Sequence, residues 1–446
     1  MNRPQRDDKA TLLLDIVVFS SSGELVAEVE GFGLRQAGRE AVSGAGRGEE
    51  GEWLYEVKWK AEALEGGKGV GGGASLEEIA EVLKKVVEHG RSERGLGEFA
   101  SLFPRLEALS TQYVVRAFRQ LGWEMKVGER IRLGTKAEEW GVLERHRRLL
   151  GRMLEILEQD GYLKREEETW EVRRIPEGWE PAEELSKLME QYPGSAVELE
   201  MTGRCGQRFA EALRGECDPL ELLFPEGSLA DAEKLYRDSP FFEFYNRLIE
   251  EAIRSAITAI PPTQKISILE IGAGTGGTTT YVLPRVPADR TEYVFTDVSP
   301  LFLSKARERF GGHGFVQYRV LDIERDPVAQ GFEANTFDII VASNVLHATA
   351  DLRQTLKRVS DLLAPGGFLI LFEETVPMRF TDLIVGLTEG WWKFRDEELR
   401  RSHALISGEK WKEVLRESGF GEVLVIPEGE GEGSILGKQS VILARG

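Results

Sequence analysis

The stretch Leu269-Glu270-Ile271-Gly272-Ala273-Gly274-Thr275-Gly276-Gly277 passes from an apolar run into glycines and then into a helix-compatible segment. Glycines at 272, 274 and 276 let a ligand approach the backbone and the N-terminus of the following helix. Gly272, Gly274 and Gly277 also satisfy the dinucleotide spacing G-x-G-x-x-G, with Asp297 ending the next strand about 20 residues on, where a carboxylate accepts ribose hydroxyls. NAD and S-adenosylmethionine both fit this much. Glu270, beside the first glycine, is placed to meet a ligand ammonium group, and the run is G-x-G-x-G. Asp322-Ile323 closes the third strand, offering a carboxylate for an adenine amino group and an apolar side chain for the adenine face. The loop carries no Lys or Arg for a pyrophosphate. These features favour S-adenosylmethionine.

A second set of residues suits proton chemistry. His347 follows the fourth strand-like run, FDIIVAS, and Glu373-Glu374 ends the fifth, FLILF. In a doubly wound sheet these strands are neighbours, and their C-terminal ends face the same crevice. A histidine there, oriented through its other ring nitrogen by a carboxylate, is the arrangement of a general base. A strand buried on both faces offers no polar alternation to choose between Glu373 and Glu374. His89, His146, His313 and His403 lack such a setting and read as surface or capping residues.

The elements that must position these groups follow from periodicity. KISILEI, YVFT, FVQYRV, FDIIVAS and FLILF are buried strands alternating with helices. Ser299-Pro300 opens one helix and Asp351 caps another that stops at Pro365-Gly366-Gly367. VLVIP and QSVILA, joined by GEGEGSILGK, add a hairpin whose last strand runs antiparallel to the rest. Ahead of this α/β core, residues 75–262 read as helical, opening on the capping box Ser75/Glu78 and closing at Pro261-Pro262. Within them, RHRRLLGRMLEILEQDGYL and KREEETWEV resemble a winged helix. Residues 1–60 carry a hairpin pattern around Ser20-Ser21-Ser22-Gly23 and a further strand, WLYEVKWK, set off by the glycine-rich stretches 42–52 and 66–73. Too small to bury a core alone, this region is expected to be an appendage or the end of a neighbouring domain.

Composition narrows the classes. With 446 residues, 41% apolar and 30% charged, the chain is an ordinary multi-domain globular protein. No run approaches the roughly 18 apolar residues of a membrane span, and Asp7 and Asp8 precede too short an apolar run for a signal peptide. Cys205 and Cys217 have no metal-ligand neighbours, so a reducing, cytoplasmic setting and no metal are expected. The 57 Lys and Arg against 76 Asp and Glu, a net charge of -19, oppose binding to nucleic acid.

LEIGAGTGGTT, FTDVSP, FDIIVASNVLHAT, APGGFLILFEET and LTEGWW together resemble the C-methyltransferase domains of polyketide synthases, a branch of the class I S-adenosylmethionine-dependent methyltransferases. RHRRLLGRMLEILEQDGYL, RCGQRFAEALRGECDPLELLFPEGS and LYRDSPFFEFYNRLI look like that family's lid, so the resemblance covers about residues 75–446. ELVAEVEGFGLR and WLYEVKWK are similar to a dehydratase tail and its linker, implying three regions: 1–60, the lid 75–262, and the cofactor-binding core 263–446. The fold implied is a Rossmann-like seven-stranded sheet with its last strand antiparallel, under a mostly helical lid.

The resemblance implies that Glu270, Gly272, Gly274, Gly276, Asp297, Asp322, Ile323 and Asn344 hold the cofactor, S-adenosylmethionine, which leaves as S-adenosylhomocysteine. His347 and Glu373 take the base role, because the family's Leu-Leu-Glu-Val-Thr pattern falls on Leu371–Thr375 and selects Glu373. Glu374 departs from it, standing where an apolar residue is usual. Tyr236, Tyr245, Asn246 and Trp392 are candidates for the cofactor and acyl channel, with core packing the competing reading. The substrate implied is a β-ketoacyl chain on the phosphopantetheine of an acyl carrier protein, among neighbouring synthase domains. Arg145, Arg147, Arg148 and Arg152, or Arg395, Arg400 and Arg401, are offered as a carrier-docking patch. The rival readings are a stand-alone small-molecule O- or N-methyltransferase and a non-catalytic domain that braces a synthase.

Overall fold

The computed structural model describes residues 11–19, 25–35, 75–177, 180–428 and 434–446, the first two stretches as backbone. The strand expected at WLYEVKWK, the Ser20–Gly23 turn and both glycine-rich stretches lie outside the described residues. Strands β1 (Thr11–Phe19) and β2 (Leu25–Arg35) pair antiparallel, with register breaks between Leu14 and Ile16 and between Val18 and Phe19.

In the second unit, β6 (Ile266–Ile271), β7 (Thr291–Asp297), β8 (Val316–Val320), β9 (Phe337–Ser343), β10 (Leu363–Glu374), β11 (Val423–Ile426) and β12 (Gln439–Arg445) form one sheet in the order β11-β12-β10-β9-β6-β7-β8. β8, β7, β6, β9 and β10 are parallel, and β12 inserts antiparallel between β10 and β11. The central strands β6, β9 and β10 are mostly apolar, with Glu270, Glu373 and Glu374 towards their carboxyl ends, because both faces are covered. Strand order reverses between β6 and β9, so the crevice outside their carboxyl ends is where the topology opens a binding site. The expected helix end at Pro365 falls three residues earlier: the helix stops at Leu362, and β10 begins at Leu363 with a register break before Phe368.

The helical region opens at the Ser75/Glu78 capping box, with both reciprocal bonds made. Its longest member, Arg94–Gln120, continues through Pro104. The winged-helix-like part has β3 (Arg130–Arg132) ahead of helix Arg147–Gln159 and the hairpin β4 (Leu163–Glu166) and β5 (Thr169–Val172) after it, the three strands forming one sheet with β5 central. Helix Pro240–Thr258 lies on β10, where the Tyr245 ring stacks on Phe372 at 4.9 Å and 16°. Each such aromatic burial stabilises the contact by roughly 1.5–3 kcal/mol. The apolar core is continuous from this helical region into the sheet. Polar bonds add direction: Arg379 grips Asp160 through two 2.8 Å bonds, and Arg148 donates to the carbonyls of Trp392 and Phe394. Among the described residues no helix is long and apolar enough to cross a membrane.

Candidate active site

The glycine loop leaves β6 and turns into a six-residue helix, Gly277–Val282. Gly272, Gly274 and Gly276 all have positive φ, +61°, +53° and +75°, which side chains disfavour. At Gly272 a Cβ would lie 2.3 Å from Val345, and at Gly276 2.6 Å from Phe310. Gly272 and Gly274 face a cavity of about 270 Å³, whereas Gly276 packs away from it. Gly277, whose Cβ would strike the Tyr236 carbonyl at 2.9 Å, is where the lid closes on the loop.

Glu270 is buried on the cavity floor, its Oε2 accepting from Thr279 and Tyr293 at 2.6 Å each. Burial pushes its carboxyl up to about 7. Asp297 accepts the Gly274 N–H at 3.0 Å on Oδ2 and the Ser299 N–H at 2.8 Å on Oδ1, tying the loop to β7, and burial raises its pKa. Asp322 is half-buried and caps its own turn through the Glu324 N–H, while Ile323 is buried in the core. Neither of these, nor Asp297, is in the cavity wall. Thr275, Phe302, Leu223, Phe224 and Ser343 are also in the wall. The mixture of bare backbone, one buried carboxyl and aromatic walls fits an amino acid joined to a nucleoside.

At the ends of β9 and β10, His347 Nδ1 lies 2.5 Å from Glu373 Oε2, and Glu373 Oε1 accepts the Leu346 N–H at 2.9 Å. Both side chains are buried. Trp391 meets the imidazole edge-on at 4.9 Å. In the tautomer with its proton on Nδ1, the imidazole donates to the Glu373 carboxylate and Nε2 carries the free lone pair. His347 lines a cavity of about 40 Å³ together with Glu374, Trp391, Phe380, Thr381 and Ile384. Tyr236, Phe242, Asn344 and Val385 wall both this cavity and the larger one, so the two adjoin. Asn344, at φ +52°, accepts the Glu374 N–H, fixing the ends of β9 and β10 to each other.

Several sequence assignments change on tertiary grounds. Asn246 lines the cofactor-side cavity and binds the Tyr236 carbonyl and the Thr278 hydroxyl. Tyr245 lines neither cavity: its hydroxyl donates to the carbonyls of Leu436 and Gln439, making it a strut between lid helix and β12. Trp392 also faces away, bonding the Gly386 carbonyl, and its neighbour Trp391 takes the wall position. His403 is a buried partner of Asp382 at 2.8 Å rather than a surface residue, and His146 is buried, its pKa depressed to about 4 by that burial. Arg152 and Arg400 are no docking groups. Arg152 is buried against Asp382 at 2.7 Å, and Arg400 donates to the carbonyls of His347 and Thr349 from behind the dyad. The sequence signal for Arg400 was its i,i+4 spacing from Asp396, which it pairs at 2.6 Å. Phe380, Thr381 and Val385 lie in none of the sequence motifs, and Phe242, though inside LYRDSPFFEFYNRLI, is not distinguished there from its neighbours.

Residues 269–369 match the family model described as a methyltransferase domain. The non-reducing polyketide synthase ausA of Penicillium brasilianum is 34% identical over 349 residues, which are 77% of this chain and 14% of that protein. The chain thus spans about a seventh of the curated relatives it matches. The crystal structure of the CurJ carbon methyltransferase superposes with a TM-score of 0.78 at 42% identity, covering 83% of this chain and 97% of that one. The trans-methyltransferase CalH, solved in complex with S-adenosylhomocysteine, matches at TM-score 0.59 and 25% identity over 79% of this chain and 92% of its own. With this sheet, this glycine loop and a near-complete match to a carbon methyltransferase, the chain belongs to the C-methyltransferase domains of polyketide synthases, which are S-adenosylmethionine-dependent enzymes of the class I fold.

Proposed function

We propose that this domain methylates the α-carbon of a β-ketoacyl chain presented as a thioester by an acyl carrier protein, with His347 as general base and Glu373 as its orienting partner. The observation that carries the reading is the buried 2.5 Å contact between His347 Nδ1 and Glu373 Oε2 in a cavity adjoining the glycine loop. Two flanking carbonyls make the α-hydrogen acidic. His347 Nε2 removes it, and the Glu373 carboxylate stabilises the imidazolium formed. Arg400, bonded to the His347 carbonyl, holds the short turn that carries the base. S-adenosylmethionine, when bound, supplies an electrophilic methyl on a sulfonium.

Gly272 and Gly274 give the cofactor backbone contact, and Glu270 faces its ammonium group. Asp297 and Asp322 stand outside the wall of the larger cavity, and their proposed place as acceptors for ribose and adenine hydrogens rests on the resemblance and on lone pairs their backbone bonds leave open. The His347 cavity, about 40 Å³, is the smaller of the two and shares the walls Tyr236, Phe242, Asn344 and Val385 with the larger one, so an acyl chain is proposed to reach His347 beside the cofactor. Arg145, Arg395 and Arg401 remain on the surface as groups for an acidic carrier. The hairpin β1–β2 belongs, in this proposal, to a neighbouring dehydratase-type domain.

The test is intact mass spectrometry of a carrier protein loaded with acetoacetyl and incubated with enzyme and S-adenosylmethionine. The expected result is a gain of one methylene mass. An unchanged acyl carrier, with a small-molecule hydroxyl or amine methylated under the same conditions, would overturn the reading.

A further inference from the structure

The dyad leaves a second carboxyl unused. Successive residues of a strand point to opposite faces. Glu373 meets His347, and Glu374 meets the segment Met378–Thr381 on the lid side. Glu374 is 4% exposed, yet it lines the same cavity as His347. Both of its hydrogen bonds fall on one oxygen: Oε1 accepts the Met378 N–H at 3.1 Å and the Thr381 hydroxyl at 2.9 Å. No hydrogen bond from the described residues reaches Oε2.

No cation compensates this group among the described residues. Arg152 is committed to Asp382 and Arg379 to Asp160. The ionisable groups coupled to Glu374 are the acids Asp382 and Glu107 and the phenol Tyr236, which borders the same cavity and is itself raised by burial and then by Glu374. A buried carboxylate in such company is costly, and neutralisation by a proton is the usual outcome. Burial, with Asp382 and then Glu107 adding to it, holds the Glu374 carboxyl well above the ordinary carboxylate range. A neutral acid whose Oε1 already accepts two hydrogen bonds carries its proton on Oε2, the oxygen without a partner, so it has a hydrogen bond to give.

We propose that Glu374, as a neutral carboxylic acid, is a catalytic residue that donates a hydrogen bond to the acyl carbonyl oxygen on which negative charge develops when His347 takes the α-proton. The inference rests on the C-methylation reading above. The Cα–H bond breaks, its proton goes to His347 Nε2, and its electron pair spreads onto the carbonyl oxygen facing Glu374. The Glu374 proton stays on Glu374. The pair then returns to Cα to form the bond to the methyl carbon as the C–S bond breaks, leaving a neutral thioether. A preorganised donor at a developing oxyanion is worth roughly 10²- to 10³-fold in turnover.

The experiment compares Glu374→Leu, which has no donor, with Glu374→Gln, which keeps an N–H donor in nearly the same shape. Two rates are read: single-turnover methylation of acetoacetyl carrier protein, and exchange of its α-hydrogen for deuterium with S-adenosylhomocysteine bound, which isolates enolate formation. Glu374→Leu is expected to slow both by about 10²- to 10³-fold. Glu374→Gln is expected to stay within about tenfold of wild type, since an amide can still donate to the oxyanion. In the infrared difference spectrum, wild type minus variant, a protonated-carboxylic-acid carbonyl band that belongs to Glu374 is expected for both variants, over the constant contribution of other buried acids such as Glu270. Near-normal rates in Glu374→Leu overturn the proposal, as does a Glu374→Gln as slow as Glu374→Leu. If Glu374→Leu does not fold, absence of that band from the difference between wild type and Glu374→Gln overturns it. A wild type that neither exchanges nor methylates the β-ketoacyl group fails earlier, at the function itself.

Discussion

Around the glycine loop, positions are held mainly by backbone: three glycines at positive φ, a Val345 methyl that forbids a Cβ at Gly272, and amide hydrogen bonds to Asp297. Around His347 they are held by side chains arriving from far apart in sequence. Glu373 comes from β10, Trp391 from the turn Glu389–Trp392, and Phe380 and Thr381 from a short helix anchored by the buried trio Arg152, Asp382 and His403. The first arrangement resists change of shape and the second resists change of charge. The glycine loop is thus a locally encoded cradle, while the wall around His347 is assembled by tertiary packing.

The comparison breaks most visibly at His347. His347→Ala is expected to lower turnover by roughly 10²- to 10⁴-fold, a barrier increase of about 2.7 to 5.4 kcal/mol. Calorimetric affinity for S-adenosylhomocysteine should be nearly unchanged. A parallel collapse in affinity would mean the two regions are one. Glu373→Gln should impair the same step, and the double variant should be little worse than His347→Ala alone.

Next in size is the charge network behind the wall. Arg152→Met leaves the Asp382 carboxylate buried without its arginine. Burial opposes that charge, and His403 with Arg152 currently hold it ionised, below the usual range. Removing one partner of a buried pair costs about 3 to 5 kcal/mol, readable by denaturant unfolding. An Arg152→Met as stable as wild type would show that His403 alone balances Asp382.

On the cradle side, Asp297→Ala removes the acceptor for two backbone N–H groups and one proposed for ribose. Binding should weaken by roughly 1.5 to 3 kcal/mol, with turnover at saturating cofactor within a few-fold of wild type. A loss confined to turnover would place Asp297 on the wrong side of the comparison.

The smallest effect sharpens the cradle's chemistry. Burial raises Glu270 to about 7, so below that pH it is protonated in the free protein and must ionise to pair with an ammonium. Affinity for S-adenosylhomocysteine should therefore fall as pH drops through 7, by up to about tenfold per pH unit, or about 1.4 kcal/mol, and level off above it. Isothermal titration in buffers of different ionisation enthalpy should show a proton released on binding near pH 6, absent in Glu270→Gln. A pH-independent affinity would mean that Glu270 serves only Thr279 and Tyr293.

Much of this division is legible in the amino-acid sequence. The glycine spacing, the strand ends at Asp297, His347 and Glu373, and the caps at Ser75 and Asp351 are local patterns, and local patterns survive folding because backbone geometry over a few residues depends on those residues. The final antiparallel hairpin was legible for the same reason: a strand joined to its predecessor by a short connection pairs with it antiparallel.

What the sequence left open were choices between chemically similar neighbours. Trp391 and Trp392 are equally bulky, and only the 3₁₀ turn that carries them, packed against His403 and the Gly386 carbonyl, turns one toward His347 and the other away. Tyr236 and Tyr245 both ride the lid, but Tyr245 faces β10 and β12 while Tyr236 borders both cavities. Arg152, Arg400 and His403 read as surface residues because a buried charge is rare, and only the partner that each meets far along the chain makes its burial tolerable. The sequence by itself determined the sheet and the glycine loop, and put His347 and Glu373 at the ends of neighbouring strands. Tertiary structure decided which side chains wall the His347 cavity, because that wall depends on contacts between residues far apart in the chain, whose energies no local pattern contains.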